Sequence, residues 1–371
     1  MAIYLYVSFT SEPMLRLRAA NFEDVHGIGE VQKRNGMGDP DPVVWRSQWE
    51  AYPFAAEFRD VPIGWVLEND QGSLVGVLEN VHSFFELGGR PIKGVVAARW
   101  AVDQEYRGKS LQLMTTFLRQ KGVDLPLIVS AAPTTERLLT AMKIPRIPVP
   151  DYATPCFWAV HPRAFAKAAL VRRSVPGAAL LAWPAGLAML AGDIFLGRGR
   201  GRESSTVRRL QEFDERFDLL WESVKTGATR LRAVRTRAVL EWRFRTELRG
   251  GKAAIIVAER GATLLGYAVL VRRSGDDLGM ELRDVADIQA TGDDPATLRD
   301  LLLGSIRIAR EQGADAVKFM SGTPAKRAPA DALRPYTYRL PIWQLYYRAA
   351  SELSAALSTA DKWDISVFDT Y

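Results

Sequence analysis

Apolar and polar residues alternate in a regular way through the first 165 residues. Short apolar runs bounded by turn residues predict strands, and apolar residues three and four positions apart predict helices. The predicted strands with definite bounds are 15–19, 62–68, 74–79, 125–130 and 156–160. Two more strands are predicted on either side of a loop at 88–90, and the second of these ends at 102. The predicted helices are 22–32, 43–51, 134–142 and one whose apolar face holds Leu111, Met114, Phe117 and Leu118. This order predicts a mixed α/β domain over residues 14–165.

A similar order of elements returns after residue 206. The predicted elements are helices at 207–224 and 237–245, a hairpin of strands at 253–259 and 264–272, a strand at 280–287, a helix from Asp294 to Gln312 and a strand at 316–320. The pattern therefore predicts a second α/β domain over 206–371, joined to the first by a linker at 166–205.

The linker has a different composition from both domains. Residues 175–192 contain no charged side chain, and prolines stand at positions 176 and 184. Arginines flank this stretch at positions 172, 173, 198, 200 and 202. Two interpretations fit: a buried helix pair broken at Pro184, or a hairpin that contacts the cytoplasmic leaflet of a membrane through 175–202, with its arginines on lipid phosphates. The prolines and small residues favour the buried helix pair over the hairpin. They also favour both of these interpretations over a helix that spans the membrane completely.

Bulk composition narrows the class of protein and of ligand. The chain has 371 residues, 47% hydrophobic and 25% charged, as expected for globular domains. Its formal charge of +6 suits anionic ligands, without choosing among them. The single cysteine, Cys156, favours a reducing, cytoplasmic compartment, with the inner face of the membrane as the alternative site. The three histidines lack metal-ligand spacing, so we expect no metal, and we expect no DNA partner.

The stretch from 95 to 122 carries the most specific chemistry. An apolar strand ends at Ala101 and Val102, a basic turn follows at 105–110, and a helix begins after it. A strand that opens into a helix through a small-residue turn presents backbone N–H groups and the positive end of the helix dipole. Arg107 and Lys109 add two cations beside Gly108. These features together predict a site for a diphosphate.

The same residues resemble the acyl-CoA-binding motif of the GCN5-related N-acetyltransferases (the GNAT superfamily). That motif is Gln/Arg-x-x-Gly-x-Gly/Ala, placed after a strand that ends in Val-Asp. Here the sequence following Val102 and Asp103 contains Arg107, Gly108, Lys109, Ser110, Leu111 and Gln112. Ser110 and Gln112 stand at the positions of the two motif glycines. The resemblance implies that acetyl-CoA or another acyl-CoA binds with its diphosphate on 107–112 and its pantetheine along Ala101 and Val102, where the strand splays from 127–130.

The resemblance also bears on the catalytic groups. Members of the superfamily often carry a tyrosine acid on the helix after the fifth strand, and Ala141 stands at that position here. Tyr152 or Ser130 could replace the missing acid. Glu79, on a predicted central strand, is the candidate base; the alternative interpretation is a carboxylate facing solvent.

The second half resembles the second unit of bacterial double-GNAT proteins, through the runs 213–217 and 240–244. It has no Arg-x-x-Gly-x-Gly turn between Ile288 and Leu298, which predicts that it has lost the diphosphate site and supplies substrate walls. The resemblance thus implies two tandem units, each with a mixed, mostly antiparallel sheet flanked by helices.

The function implied is an N-acyltransferase that moves an acyl group from acyl-CoA to a small-molecule amine by direct attack. An amino sugar or a lipid-linked precursor is the expected acceptor. Two alternatives stay open: a Fem-type transferase that uses aminoacyl-tRNA, and a non-catalytic GNAT-like scaffold in polysaccharide assembly. Three groups have ordinary structural interpretations: a solvated helix face for the arginines of 230–245, a core position for His82, and a small buried hydrophobe for Cys156.

Overall fold

The fold was analysed in a computed structural model, which describes residues 15–131, 133–226, 229–273, 280–340 and 344–370. Over these residues the protein is mixed α/β, and its strands form two mixed sheets, one of eight strands and one of seven, flanked by helices. The predicted fold class is confirmed.

The bounds of most elements agree with the sequence pattern to within a few residues. The strands are β1 (Arg16–Ala19), β2 (Gly64–Glu68), β3 (Leu74–Leu87), β4 (Arg90–Val102), β5 (Leu125–Ala131), β6 (Cys156–Ala159), β7 (Thr206–Leu210), β8 (Leu231–Ala233), β9 (Ala253–Arg260), β10 (Thr263–Arg273), β11 (Leu282–Ala290), β12 (Ala316–Phe319), β13 (Tyr336–Thr337), β14 (Gln344–Tyr347) and β15 (Trp363–Asp364). The helices are α1 (Val25–Arg34), α2 (Pro42–Glu50), α3 (Ser110–Arg119), α4 (Pro133–Ala141), α5 (Pro162–Arg172), α6 (Ala178–Leu196), α7 (Arg216–Lys225), α8 (Arg237–Arg249), α9 (Pro295–Glu311), α10 (Pro324–Ala332) and α11 (Ser351–Ala356).

The chain divides into two compact units. Unit 1 consists of the described residues up to His82 together with Val95–Pro126, and unit 2 of Ser83–Gly94 together with the described residues from Leu127 onward. The cuts fall at other places than the predicted domain bounds at 165 and 206, and those bounds stay a prediction.

In unit 1, the sheet and two helices enclose an aromatic core. β2 pairs antiparallel with β1, where Arg16 is opposite Glu68, and with β3, where Gly64 is opposite Glu79. Side chains from α1 and α2 cover one sheet face; this core contains Ile28, Val31, Trp45, Trp49, Val66, Val77 and Ala101. Because Val77 and Glu79 are two positions apart on β3, the Glu79 side chain points to the same face.

In unit 2, the seven strands follow the order β13-β6-β12-β11-β10-β9-β7, with β11 and β12 parallel. The apolar face of α9 packs on this sheet through Leu298, Leu301 and Leu302. β6 comes from the first half of the sequence yet pairs with β12, and β14 comes from the second half yet pairs with β5. Strands from both halves of the chain thus contribute to each of these pairings within unit 2.

Several predicted elements are wrong in detail. The strand predicted at 74–79 and the next strand before the loop at 88–90 are one continuous strand, β3. Residues 206–210 form strand β7, paired with β9, rather than the start of a helix over 207–224; the helix α7 begins only at Arg216. The alternation of a buried Val207 with exposed neighbours fits a strand. In the linker, α6 continues through Pro184, and three of its residues (Ala182, Gly186 and Asp193) are buried, so the predicted broken and buried helix pair is not what forms.

Candidate functional site

The start of α3 lies directly after the end of β4. The predicted open turn is a 3-10 helix, Gln104–Lys109, and the N–H of Ser110 donates to the carbonyl of Arg107 where this helix passes into α3. The side chain of Lys109, the residue directly before α3, does not cap its first turn, and no acidic residue lies in that turn. The first N–H groups of an α-helix lack intrahelical acceptors and concentrate positive partial charge, so this end of α3 can bind an anion.

Asp103 fixes the point where β4 ends. Its carboxylate accepts hydrogen bonds from Arg34 Nη2 at 2.7 Å and from Asn35 Nδ2 at 2.9 Å. Its backbone N–H donates to the carbonyl of Val75 at 2.9 Å. The hydrogen bond with Asp103 raises the pKa of Arg34. Asp103 is therefore neutralised by Arg34, and its charge opposes an anion at α3 less than a free carboxylate would.

The predicted donor-binding residues differ in exposure. Ala101 and Val102 have buried side chains, which leaves only their backbone groups to contact a ligand. Arg107, Gly108, Leu111 and Gln112 are exposed, and Lys109 and Ser110 are half-buried. Leu111 was predicted to lie on the apolar face of α3, yet 45% of its surface is exposed, and Leu113 takes its place in the core. Leu111 lies in the first turn, at the free end of the helix.

Gly108 is required neither by backbone conformation nor by packing. Its φ does not fall in the left-handed region, and no atom lies within 4 Å of the position that a Cβ would occupy. The space beside Gly108 is therefore open to a ligand that approaches the backbone closely.

Glu79 is buried, so the interpretation of a solvent-facing carboxylate is wrong. Oε1 accepts hydrogen bonds from Gln32 Nε2 at 2.6 Å and from Trp45 Nε1 at 3.0 Å. Oε2 accepts from Arg99 Nε at 2.7 Å. The Glu79 side chain is 1% exposed and the Arg99 side chain is 36% exposed. The ion pair thus connects a carboxylate in the core of unit 1 to a guanidinium at its surface.

The backbone of β4 is irregular at Arg99. Its φ is 44°, in the left-handed region that non-glycine residues seldom adopt, at a cost of about 1–3 kcal/mol. The guanidinium also donates to Gln48 Oε1 at 2.6 Å. Among the described residues of unit 1, five buried polar atoms have no hydrogen-bond partner: Gln32 Oε1, Gln48 Nε2, Trp65 Nε1, His82 Nε2 and Trp100 Nε1. Strain and unsatisfied buried polar groups are frequent at ligand sites, and here Arg99 and Trp100 lie directly before the predicted donor strand edge.

The two candidate acids belong to unit 2. Tyr152 is 1% exposed, and burial together with the nearby charge of Asp369 raises its pKa well above the ordinary value, which makes it a weak proton donor. Ser130 lies on β5, and its side chain is outside the described residues. The structure thus places Glu79 and residues 101–112 in unit 1, and Tyr152 in a buried polar network of unit 2. The catalytic assignments of Glu79, Tyr152 and Ser130 stay predictions.

Cys156 and His82 have the structural roles expected from the sequence. Burial raises the pKa of the Cys156 thiol to about 12, which disfavours the reactive thiolate. His82 is buried and stacks on Phe58 with ring centroids 4.5 Å apart. Loss of solvation lowers the pKa of His82 to about 4.

We expect His82 to make unit 1 less stable in mild acid. Its pKa is lower in the folded state than the ordinary 6.5, so its contribution to stability is complete above that value and is lost as the pH falls towards 4. Between about pH 7 and pH 5 this should lower the free energy of unfolding by ~2 kcal/mol. Urea unfolding of wild type and His82→Gln at both pH values measures it. The exposed His26→Gln is the control; an unchanged pH dependence in His82→Gln would contradict the expectation.

The corresponding region of unit 2 cannot bind an anion in the same way. Asp294 caps α9 by accepting a hydrogen bond from the Thr297 N–H at 2.8 Å. The hydrogen bonds from Thr297 lower the pKa of Asp294, so it carries a negative charge at this helix end. The neighbouring Asp293 pairs with Arg230 and Arg232. The loss of a diphosphate site in the second half stays a prediction.

Sequence reasoning missed the buried charge network of unit 2. Arg232 and Arg235 were predicted to lie on a solvated face, but they are 4% and 1% exposed. Arg235 Nε contacts Asp287 Oδ2 at 2.9 Å and Nη2 contacts Asp369 at 3.4 Å. Lys326 Nζ contacts Asp364 at 2.5 Å. The signal available in the sequence was a set of isolated aspartates in apolar surroundings, widely separated along the chain.

No family model and no curated protein matches the sequence. Solved structures do match the fold. A GCN5-related N-acetyltransferase from Anabaena variabilis ATCC 29413 aligns with a TM-score of 0.56 and 12% identity, over 91% of this chain and 73% of that chain. One from Kribbella flavida aligns with a TM-score of 0.53 and 17% identity, over 92% and 73%.

A third solved structure also matches the fold. Saccharomyces cerevisiae N-myristoyltransferase, solved with bound myristoyl-CoA, aligns with a TM-score of 0.55 and 9% identity, over 92% of this chain and 81% of that chain. Sequence identities this low establish similarity of fold alone. The chain has the fold of the GCN5-related N-acetyltransferases.

Proposed function

We propose that the protein is an N-acyltransferase that takes its acyl group from acyl-CoA. The observation that carries this proposal is the start of α3: an uncapped helix end with Arg107 and Lys109 beside it, and open space at Gly108. On a GNAT fold, this is the place where a diphosphate meets backbone N–H groups. The Arg34–Asp103 pair supports it by removing an opposing charge.

The reaction proposed is direct attack of an amine on the thioester. The amine nitrogen forms a bond to the thioester carbonyl carbon, the C–S bond breaks, and CoA leaves as the thiolate, which takes a proton from water. The Val102 backbone N–H is the proposed donor to the thioester oxygen, where negative charge develops. Glu79 is the proposed acceptor of the amine proton. Arg99, which is partly exposed, is its ion-pair partner.

The proposal also covers the length of the acyl chain and the chemical class of the acceptor. The yeast neighbours bind myristoyl-CoA, which makes a long-chain donor the natural comparison with acetyl-CoA. An amino sugar or a lipid-linked amine is the proposed acceptor, since the double-unit resemblance and the apolar, arginine-flanked linker suit such a molecule.

Arg107→Glu is expected to weaken acyl-CoA binding at least ~10-fold, because a charged hydrogen-bond donor to phosphate becomes a repelling carboxylate. Calorimetric titration with acetyl-CoA and with myristoyl-CoA measures the dissociation constants. Arg119→Glu is the matched control: it makes the same charge change on the same helix, at an exposed position in the last turn of α3.

Gly108→Leu provides an independent test that changes no charge. Because a Cβ at position 108 would meet no other part of the described chain within 4 Å, the substitution should leave the unfolding temperature nearly unchanged while it blocks the approach of the diphosphate. Equal binding by wild type, Arg107→Glu and Gly108→Leu would contradict the proposed site. Absence of binding to either donor would overturn the acyl-CoA proposal and favour the tRNA-dependent or scaffold alternatives.

A further inference from the structure

Helix α6 is apolar except for Asp193 near its end, and the protein covers only one side of it. It is long and apolar enough to cross a membrane by length and composition alone. A helix that is apolar on all sides ordinarily lies in a protein core or in lipid. The outward side chains form a stripe at spacings of three and four: Leu180, Trp183, Leu187, Leu190 and Ile194 are each at least 40% exposed, and the adjacent Phe195 is 90% exposed. A stripe of this kind marks an interaction surface.

The inner side of α6 fixes which face points outward. Ala182 and Gly186 are buried there, and a Cβ at Gly186 would lie 2.7 Å from the Cα of Arg163 in α5. Near its end, Asp193 accepts a hydrogen bond from the Tyr336 hydroxyl at 2.5 Å. Small residues thus let α6 pack closely on α5, and the apolar stripe is held on the opposite side.

Exposed cations precede and follow α6 along the chain. Lys167 and Arg173 are exposed on α5 and just after it, and Arg200 and Arg202 are exposed after α6. Among the described residues none of these four side chains forms an ion pair. The Arg163 guanidinium lies 4.2 Å from the ring centroid of Trp183, so this aromatic residue of the stripe is also next to a positive charge.

We propose that the outward face of the α5–α6 hairpin binds the surface of an anionic lipid bilayer. Apolar side chains would enter the acyl boundary, while free lysine and arginine side chains contact phosphates. The charge pattern disfavours a second copy as the occupant: α6 has cations at both ends, so parallel and antiparallel pairing would each bring like charges together. The charges of α5 and the attachment of Asp193 to Tyr336 disfavour a membrane-spanning hairpin.

Vesicle co-sedimentation of the full chain tests the inference. The probes are vesicles of phosphatidylcholine with phosphatidylglycerol, and vesicles of phosphatidylcholine alone. We expect binding to the first, weaker binding to the second, and a decrease with added salt. The double variant Leu187→Glu/Phe195→Glu should lose at least ~10-fold in binding, because two charges would enter the apolar boundary.

Two further variants separate apolar from ionic contributions. Arg200→Glu/Arg202→Glu should lose at least ~10-fold in binding to the phosphatidylglycerol vesicles, with little change on phosphatidylcholine alone. The matched control is Leu219→Glu, at a leucine of α7 that is 69% exposed, and it should bind as wild type does. Unchanged circular dichroism shows that each variant is folded.

Three results would overturn the inference. One is wild-type binding equal to that of Leu187→Glu/Phe195→Glu. Another is absence of vesicle binding together with a dimer, seen by light scattering, that this double variant abolishes, since the face would then bind a second copy. A third is retention in expressing-cell membranes after alkaline carbonate extraction, which would indicate a span. Membrane contact does not depend on acyl transfer. The membrane inference can therefore fail while the proposed acyltransferase function holds, and the reverse.

Discussion

Replacing Arg235 by alanine is expected to lower the free energy of unfolding of unit 2 by ~3–5 kcal/mol, the cost of breaking a buried ion pair from one side. The guanidinium is fully buried. Its Nε contacts Asp287 Oδ2 at 2.9 Å, and its Nη1 donates to the carbonyl of Ala233 at 2.6 Å. Alanine would leave the Asp287 carboxylate in the core with two neutral donors, the Tyr267 hydroxyl at 2.6 Å and the Ser366 hydroxyl at 3.4 Å.

The loss should be large because the network is balanced in charge. Three cations (Arg232, Arg235 and Lys326) are buried with three carboxylates (Asp287, Asp364 and Asp369). Burial lowers the pKa of Lys326 and raises the pKa of Asp369, so each group tolerates its charge only through the others. Removing one cation leaves an excess negative charge that solvent cannot reach.

Urea unfolding followed by far-UV circular dichroism measures the change. Arg237→Ala is the matched control, two positions away on the same segment. Arg237 pairs with Glu241 at the surface, where both side chains are close to half exposed, and such pairs contribute at most ~1 kcal/mol. Equal stability of the two variants would contradict the view that the buried network stabilises unit 2.

The sequence predicts this fold well where local pattern decides the structure. The strand before 102, the basic turn and the apolar side of α3 are all set by neighbouring residues, and the structure has them nearly as predicted. Similarly, Asp294 followed by proline predicts the start of α9, and the Asp294 cap is present. Two details depart: the basic turn is a 3-10 helix, and Leu111 is exposed because a residue in the first turn of a helix can point past the core.

The rest could not be predicted because it depends on residues far apart in the chain. Arg235 resembles any arginine near a helix start, and its burial depends on aspartates 52 and 134 positions away. Likewise, an apolar helix such as α6 has the same pattern in a core and at a surface, and only the fold shows that one side is uncovered. Local pattern also cannot show that β6 and β14 pair with strands from the opposite halves of the sequence.

Glu79→Ala is the second change for which we expect a large effect, a loss of ~3–5 kcal/mol in the stability of unit 1. Three donors would lose their acceptor: Gln32 Nε2, Trp45 Nε1 and Arg99 Nε, at 2.6, 3.0 and 2.7 Å from the carboxylate. A buried donor without a partner costs about 1–3 kcal/mol. Glu68→Ala is the control: Glu68 lies opposite Arg16 at the solvent-facing pair of β1 and β2, and its partner Arg18 keeps a second carboxylate in Asp24.

Glu79→Gln separates the structural role from the catalytic one, since the amide keeps the shape and one acceptor oxygen but cannot accept a proton. If Glu79 is the base, turnover of acyl-CoA with a reactive amine should fall by ~10²–10⁴-fold, while the dissociation constant of the donor stays the same. The acidic limb of the pH–rate profile should also disappear in Glu79→Gln and persist in Arg99→Gln. Equal losses in the two variants, with both profiles unchanged in shape, would instead show that Glu79 only holds Arg99 in place. That result would remove Glu79 as the proton acceptor and leave the buried ion pair as a positioning device for the strained backbone of β4.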